Sequence, residues 1–238
     1  MRTTTASPAT YGLLGMLAVR PWTGYELTQQ VRRSLRFVWP SSEGHLYREQ
    51  KRLVLLGWAT LEREASGRRR RNRYTITEAG RAALRSWLAS APEEPHFQIE
   101  GVLRTFYADQ GSPEQLAASM RATADAARSM LVELRGFAAE YLEPGGPMSL
   151  LEEGIGGPGR PRREFHGRTM YPERLPSVAL AIDITTRLLE TLDSFFTEEA
   201  ARAATWPATT DPALTGQTKQ RLERILARAE EISRATTT

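Results

Sequence analysis

Apolar positions in the first third of the chain recur at helical spacing and then change to an alternating pattern. Each of three segments, 7–20, 23–34 and 41–56, opens on a Ser or Thr that can cap a helix and carries apolar residues three or four positions apart. Two short alternating runs, 58–64 and 72–77, predict a β-hairpin, and a trailing helix follows them. Three helices, a hairpin and a further helix are the plan of a winged helix-turn-helix.

The third predicted helix has an apolar side and a cationic side. Leu46, Gln50 and Leu53 fall on the side that would face a core, and the opposite side is polar and basic. A polar outer face of this kind can enter a DNA major groove, which is about 12 Å wide. The candidate DNA-binding residues of this region, counting the preceding cap serines and a boundary tyrosine, are Ser41, Ser42, His45, Tyr47, Arg48, Lys51 and Arg52.

Five arginines stand within six residues at the predicted hairpin tip. Because they repel one another, a nearby polyanion would stabilise them strongly. We expect them to contact the DNA backbone or the minor groove beside the third helix. These candidates are Arg68, Arg69, Arg70, Arg71 and Arg73.

Charge divides the chain into two unequal parts. Residues 1–90 contain 16 Lys and Arg against 6 Asp and Glu, a net charge of +10, whereas residues 91–238 have a net charge of −6. A basic domain joined to a mildly acidic one is typical of a polyanion-binding domain carried by a second, non-binding domain. We therefore predict a DNA-binding domain over 1–92 and a second domain over 93–238.

The second domain is predicted to be all helical. From residue 116 to 141 mostly apolar residues recur at alternating four- and three-residue intervals, a heptad seam of about three and a half repeats. Its partner helix could lie in the same subunit, in a second subunit, or in both. Residues 143–176, rich in Gly and Pro, predict a flexible loop before two further helices. We assign dimerisation to the seam residues Leu116, Met120, Ala127, Met130, Leu134, Phe137 and Tyr141.

Several ordered motifs in the first ninety residues resemble the PadR family of bacterial transcriptional regulators. They are the segments 13–15 (LLG), 21–27 (PWTGYEL), 39–47 (WPSSEGHLY) and 73–80 (RYTITEAG). The resemblance implies that the third helix is a recognition helix, and that the helical domain forms the dimer and can shape an effector site. The arginine tract departs from the shorter mixed hairpin tip that is common in the family. Tyr25, inside the second motif, is expected to be a core aromatic.

Several classes of function lack their sequence signals. The chain has no cysteine, its three histidines show no metal-ligand spacing, and no phosphate-loop or nucleophile-elbow motif is found. We therefore expect no enzyme activity, no metal and no cofactor. No apolar stretch approaches the roughly 20 residues that a membrane-spanning helix needs, so we expect a cytoplasmic protein without membrane contact.

Together these patterns predict a mainly α-helical, homodimeric protein that binds double-stranded operator DNA sequence-specifically and represses transcription. A small hydrophobic or aromatic effector is a further expected partner, implied by the family resemblance. The alternative is a winged-helix module for protein–protein assembly. Such a module would carry apolar or acidic residues on the outer face of the third helix, where this chain has Arg48, Lys51 and Arg52.

Overall fold

The computed structural model describes residues 6–66, 69–157 and 162–236. The chain divides into two compact units, an amino-terminal unit over Met1–His96 and a carboxy-terminal unit over Phe97–Thr238. Both consist mainly of helices, and each contains a small antiparallel sheet. The predicted fold class is thus confirmed.

The amino-terminal unit has the predicted order of three helices, a hairpin and a trailing helix. A short strand before the second helix joins the hairpin, which makes a three-stranded sheet with the second hairpin strand in the middle. Its elements are α1 (Pro8–Val19), β1 (Trp22–Thr23), α2 (Gly24–Ser34), α3 (Glu43–Leu55), β2 (Ala59–Ser66), β3 (Arg69–Ile76) and α4 (Glu78–Ala89).

Side-chain caps begin the helices α1, α2, α3 and α4. The hydroxyls of Ser7, Thr23, Ser42 and Thr77 each accept a hydrogen bond from a backbone amide in the first turn of the following helix. These bonds satisfy amides that have no partner within the helix. After α3, Gly57 adopts a φ of 70°, the left-handed conformation that commonly ends a helix.

A single apolar core joins the helices of this unit to its sheet. Leucines of α1, α2 and α3 lie in it with almost no exposed surface, and Tyr74 and Ile76 of β3 close it from the sheet side. Removing apolar surface from water stabilises this core by about 25 cal/mol for each Å² buried. Its fully buried leucines are Leu13, Leu14, Leu17, Leu27, Leu46 and Leu53.

The carboxy-terminal unit is built around two long helices, α6 and α8, that pack against each other. Their core contains Leu116 and Met120 from α6 and Phe196 and Ala200 from α8. The elements are α5 (Glu100–Phe106), α6 (Pro113–Leu142), α7 (Pro147–Glu152), β4 (Glu164–Phe165), β5 (Arg168–Thr169), α8 (Leu175–Ala203) and α9 (Thr215–Thr236).

The segment 143–176, predicted to be a flexible loop, contains regular structure in its described part. Helix α7 and the hairpin β4–β5 lie between the two long helices in sequence. Arg168 of the hairpin donates to the Glu140 carboxylate over 2.7 Å, and His166 lies 3.1 Å from the Glu143 carboxylate. These contacts join residues far apart in sequence, so hydrophobic periodicity could not indicate them. Across the described ranges, no helix combines the length and apolar character that crossing a membrane would require.

Candidate nucleic-acid interface

Helix α3 presents its predicted basic face outward. Ser42, Tyr47, Arg48 and Lys51 are exposed, while Leu46 on the opposite side is buried in the core. The remaining candidates of this region, Ser41, His45 and Arg52, are half-buried. The seven predicted residues therefore lie on α3 or in the two positions before it, and four of them are exposed.

A buried glutamine holds α3 against α2. The Gln50 side-chain amide donates to the Gly24 carbonyl over 3.0 Å and to the Thr28 hydroxyl over 2.8 Å. A Cβ at position 24 would lie 2.8 Å from Gln50 Oε1, so glycine allows this close approach. The crossing of the two helices is consequently fixed by directional bonds as well as by apolar packing.

The hairpin β2–β3 forms a wing beside the helices, with eight residue pairs in antiparallel register. Its register places Arg73 opposite Glu62 and Arg71 opposite Glu64, whereas Arg70 lies opposite Ala65. Arg71 is exposed and Arg73 is half-buried near the base of the wing.

The rest of the predicted arginine set lies closer to the tip. Arg69 pairs with Ser66 in the register, and the predicted contact residue Arg68 is outside the described residues. The register thus pairs the predicted wing arginines with the acidic positions Glu62 and Glu64 and, nearer the tip, with the small residues Ala65 and Ser66.

Charged groups also meet where the wing approaches the start of α2. Burial alone would raise the pKa of Glu26, but hydrogen bonds from the Thr23 amide and hydroxyl outweigh it, and the charges of Arg20 and Arg73 act in the same direction. The pKa of Glu26 is therefore lowered. On the core side, burial raises the pKa of Tyr74, and the nearby Tyr47 adds to this.

Tyr25 is 67% exposed, so its predicted place in the core is wrong. The buried side of α2 is set by Leu27, Thr28 and Val31. At about 100° per residue, Tyr25 projects roughly 200° away from Leu27, onto the outer side of the helix. This signal was present in the sequence. Tyr25 therefore presents an exposed aromatic hydroxyl on α2, the helix that precedes α3.

Four of the seven residues assigned to dimerisation are buried within the subunit. The seam of α6 packs on α8, with Leu116, Met120, Ala127 and Leu134 buried and the other three half-buried: Met130, Phe137 and Tyr141. The part of the chain that the structure describes holds no cluster of three or more His, Asp or Glu residues suited to a metal ion.

A capped recognition helix with a basic outer face, followed by a cationic wing, defines the class of DNA-binding winged-helix domains. Residues 13–86 match the model of the transcriptional regulator PadR-like family. Residues 13–86 therefore form a PadR-like domain, which confirms the family resemblance inferred from the sequence.

Individual relatives agree with this assignment. The negative transcriptional regulator PadR of Bacillus subtilis (strain 168) is 23% identical over 148 residues, which cover 61% of this chain and 81% of that protein. The structure of smu.1604c from Streptococcus mutans UA159 has a TM-score of 0.63 at 20% identity, covering 81% of this chain and 98% of that one.

Bacillus subtilis PadR has also been solved in complex with operator DNA. That structure has a TM-score of 0.58 at 18% identity and covers 82% of this chain and 98% of PadR. PadR in complex with p-coumaric acid has a TM-score of 0.56 at 17% identity, over 82% of this chain and 97% of PadR. The shared fold thus extends well beyond the residues that match the family model.

Proposed function

We propose that this protein is a homodimeric repressor that binds operator DNA sequence-specifically through α3 and the β2–β3 wing. The observation that carries the proposal is the exposed basic face of α3 on a helix whose opposite side is anchored by Leu46, Leu53 and Gln50. Rigid placement matters because reading base edges requires hydrogen bonds of defined geometry. The operator complex of Bacillus subtilis PadR supports the assignment.

Different side chains take different roles on the DNA. Arg48 and Lys51 project from the exposed face and have the chemistry to bind guanine O6 and N7. Ser41, Ser42 and Tyr47 hold phosphates and set the register of the protein on the DNA. The exposed Tyr25 joins them as a phosphate contact from α2, and the arginines of the wing contact the flanking backbone or minor groove.

The second subunit binds, in this proposal, on the apolar side chains that the carboxy-terminal unit leaves exposed. Helix α8 has one stripe packed on α6 and a second, open stripe, and α9 carries an open stripe of its own. Exposed contiguous apolar surface of this kind marks interaction sites. The open stripes are Leu180, Ile184, Leu188 and Phe195 on α8, and Leu222, Ile225, Leu226 and Ile232 on α9. The half-buried residues of the α6 seam add to this interface at its edge.

Substitution on the open stripes tests the dimer. Leu188→Glu places a charge at the proposed interface and should convert a dimer to a monomer in size-exclusion chromatography with light scattering. Leu88→Glu is a matched control, because Leu88 is an exposed leucine of the amino-terminal unit. A wild-type protein that is monomeric at micromolar concentration would contradict this part of the proposal.

A small aromatic or hydrophobic acid is the proposed effector, and the p-coumaric acid complex of Bacillus subtilis PadR supports it. The ligand would act by binding more tightly to the subunit arrangement that does not fit the operator. This role requires no catalysis, metal or cofactor. In this proposal the protein acts in the cytoplasm, where it meets its operator DNA.

Fluorescence anisotropy with two duplexes tests the central function. The full chain is titrated against the DNA upstream of its own gene and against a shuffled duplex, at two salt concentrations. We expect the native duplex to bind at least about 10³-fold more tightly at physiological salt, within the range of specific binders. Equal affinity for the two duplexes that falls steeply with salt would show that the protein binds DNA only non-specifically. Absence of binding to either duplex at low salt would favour the assembly module instead.

A further inference from the structure

Helix α3 carries a buried carboxylate at the edge of its basic face. Glu49 is 6% exposed, although it lies between the exposed Arg48 and the buried Gln50 in sequence. A carboxylate removed from water is costly unless it accepts hydrogen bonds or pairs with a cation. Its partners therefore show what it does.

The partners of Glu49 lie at the first turn of α1. The Thr10 hydroxyl donates to Oε2 of Glu49, and the Ser7 hydroxyl reaches the same oxygen over 3.3 Å. The two hydroxyl oxygens in turn accept from backbone amides, Ser7 from Thr10 over 3.2 Å and Thr10 from Ser7 over 3.0 Å. Both hydroxyls thus cap α1 and bind the carboxylate of α3 at once.

The second carboxylate oxygen points toward the interface. Oε1 of Glu49 lies 3.8 Å from a guanidinium nitrogen of Arg52, which is one turn further along the same helix. Arg52 is accordingly half-buried, unlike Arg48 and Lys51. The carboxylate connects the cap of α1 to a predicted DNA-contact residue.

We propose that Glu49 is a positioning residue that sets the rotation of the recognition helix and the place of Arg52, and thereby controls sequence selectivity. Two consecutive residues attach α3 to two different helices, since Glu49 binds α1 and Gln50 binds α2. The two attachments lie in different directions, so together with the apolar packing of Leu46 and Leu53 they define the rotation of α3 about its axis. Selectivity depends on that rotation, because base-edge contacts are directional, while non-specific phosphate binding tolerates it. The inference rests on the proposed DNA-binding function.

Substitution at Thr10 tests the attachment without touching the DNA-facing side. Thr10→Val keeps the shape and removes the hydroxyl, and Thr10→Ser restores it. Each variant is titrated against a duplex selected by the wild-type chain from a randomised pool and against a shuffled duplex. We expect Thr10→Val to lower the ratio of specific to non-specific affinity at least tenfold, with non-specific affinity within twofold of the wild type. Thr10→Ser should restore the ratio.

Substitution at Glu49 provides an independent test should Thr10→Val fail to fold. In Glu49→Gln the amide oxygen still accepts from the two hydroxyls, but an amide replaces the charge beside Arg52. We expect a smaller fall of the same ratio. Glu78→Gln makes the same change in charge at an exposed carboxylate of α4 and should leave the ratio unchanged.

Three results would overturn the inference. Equal losses on both duplexes that follow the melting temperature would assign Glu49 a merely structural role. An unchanged ratio in both Thr10→Val and Glu49→Gln would contradict the positioning role directly. A wild-type chain that selects no duplex from the pool would refute the proposed function itself, and the inference with it.

Discussion

The two units of this chain use apolar side chains differently. In the amino-terminal unit the leucines of α1, α2 and α3 close into one core with the sheet. In the carboxy-terminal unit one side of α8 packs on α6, while α5, α8 and α9 keep large apolar residues in the open, among them Phe106, which is 77% exposed. The first unit closes a core between its helices and its sheet and leaves side chains such as Leu55 and Leu88 exposed, whereas the second carries exposed apolar stripes along α8 and α9 that suit another molecule.

Matched leucine truncations in the two units should give the largest contrast. Leu53 of α3 is fully buried, so Leu53→Ala should lower the free energy of unfolding by about 2–5 kcal/mol at any protein concentration. Leu222 of α9 is 61% exposed in the subunit. Leu222→Ala should therefore destabilise the protein through loss of the dimer, in a concentration-dependent way. Chemical denaturation at several protein concentrations measures both effects. If the two variants lost the same free energy of unfolding at every protein concentration, the contrast between the units would be contradicted.

Replacing an exposed arginine by alanine should weaken operator binding in the amino-terminal unit but not in the carboxy-terminal unit. Arg48→Ala on the outer face of α3 should weaken operator binding by about 1–3 kcal/mol and relax selectivity at one base pair. Arg121 is an exposed arginine of α6, a helix that carries neither open stripe, and Arg121→Ala should leave operator affinity unchanged. Anisotropy titrations of operator variants measure the effect. An equal loss from both substitutions would place DNA contacts on the carboxy-terminal unit as well.

Removing the α2 cap tests how much this hydrogen bond stabilises the amino-terminal unit. Thr23→Ala deletes the hydroxyl that accepts from the Glu26 amide and should lower the free energy of unfolding by about 0.5–2 kcal/mol. Thr23→Ser retains the hydroxyl and serves as control. Thermal unfolding measures the change, and an alanine variant as stable as the wild type would show that the cap contributes nothing there.

Glu26 should give the smallest effect, through pH. Its pKa is lower in the folded state than in the unfolded chain, so its contribution is present above the unfolded value and is lost as pH falls through the folded value. Glu26→Gln should cost about 0.5 kcal/mol at pH 7, and the difference from wild type should vanish in acid below the ordinary carboxyl range. Urea unfolding from pH 7 to 3 measures it. A difference that persists unchanged in acid would contradict the stabilising charge.

Local signals explain why so much of the amino-terminal unit was predictable. Caps at Ser7, Thr23 and Ser42, the alternation of β3 and the placement of Gln50 on the apolar side of α3 each depend on residues a few positions apart. Helix starts, strands and the basic face follow from such spacing. Tyr25 was misplaced although its angle from Leu27 was available.

Contacts between distant residues explain what was not predictable. The burial of Glu49 depends on Thr10, 39 positions away, so nothing within α3 indicates it. The heptad seam of α6 was visible, but its choice of α8 as partner depends on the tertiary fold. The hairpin β4–β5 is stabilised by an ion pair between Arg168 and Glu140, in a segment whose composition is typical of loops.

Hydroxyl-radical footprinting of the full chain on its selected duplex tests the central claim most directly, because it reports both DNA reading and pairing of subunits. A dimer that places two α3 helices in successive major grooves should protect two segments on one face of the DNA, centred about one helical turn apart. The Leu188→Glu variant should lose that paired pattern. Two protected half-sites would support the account, whereas a single protected segment, or uniform weak protection along the duplex, would contradict it.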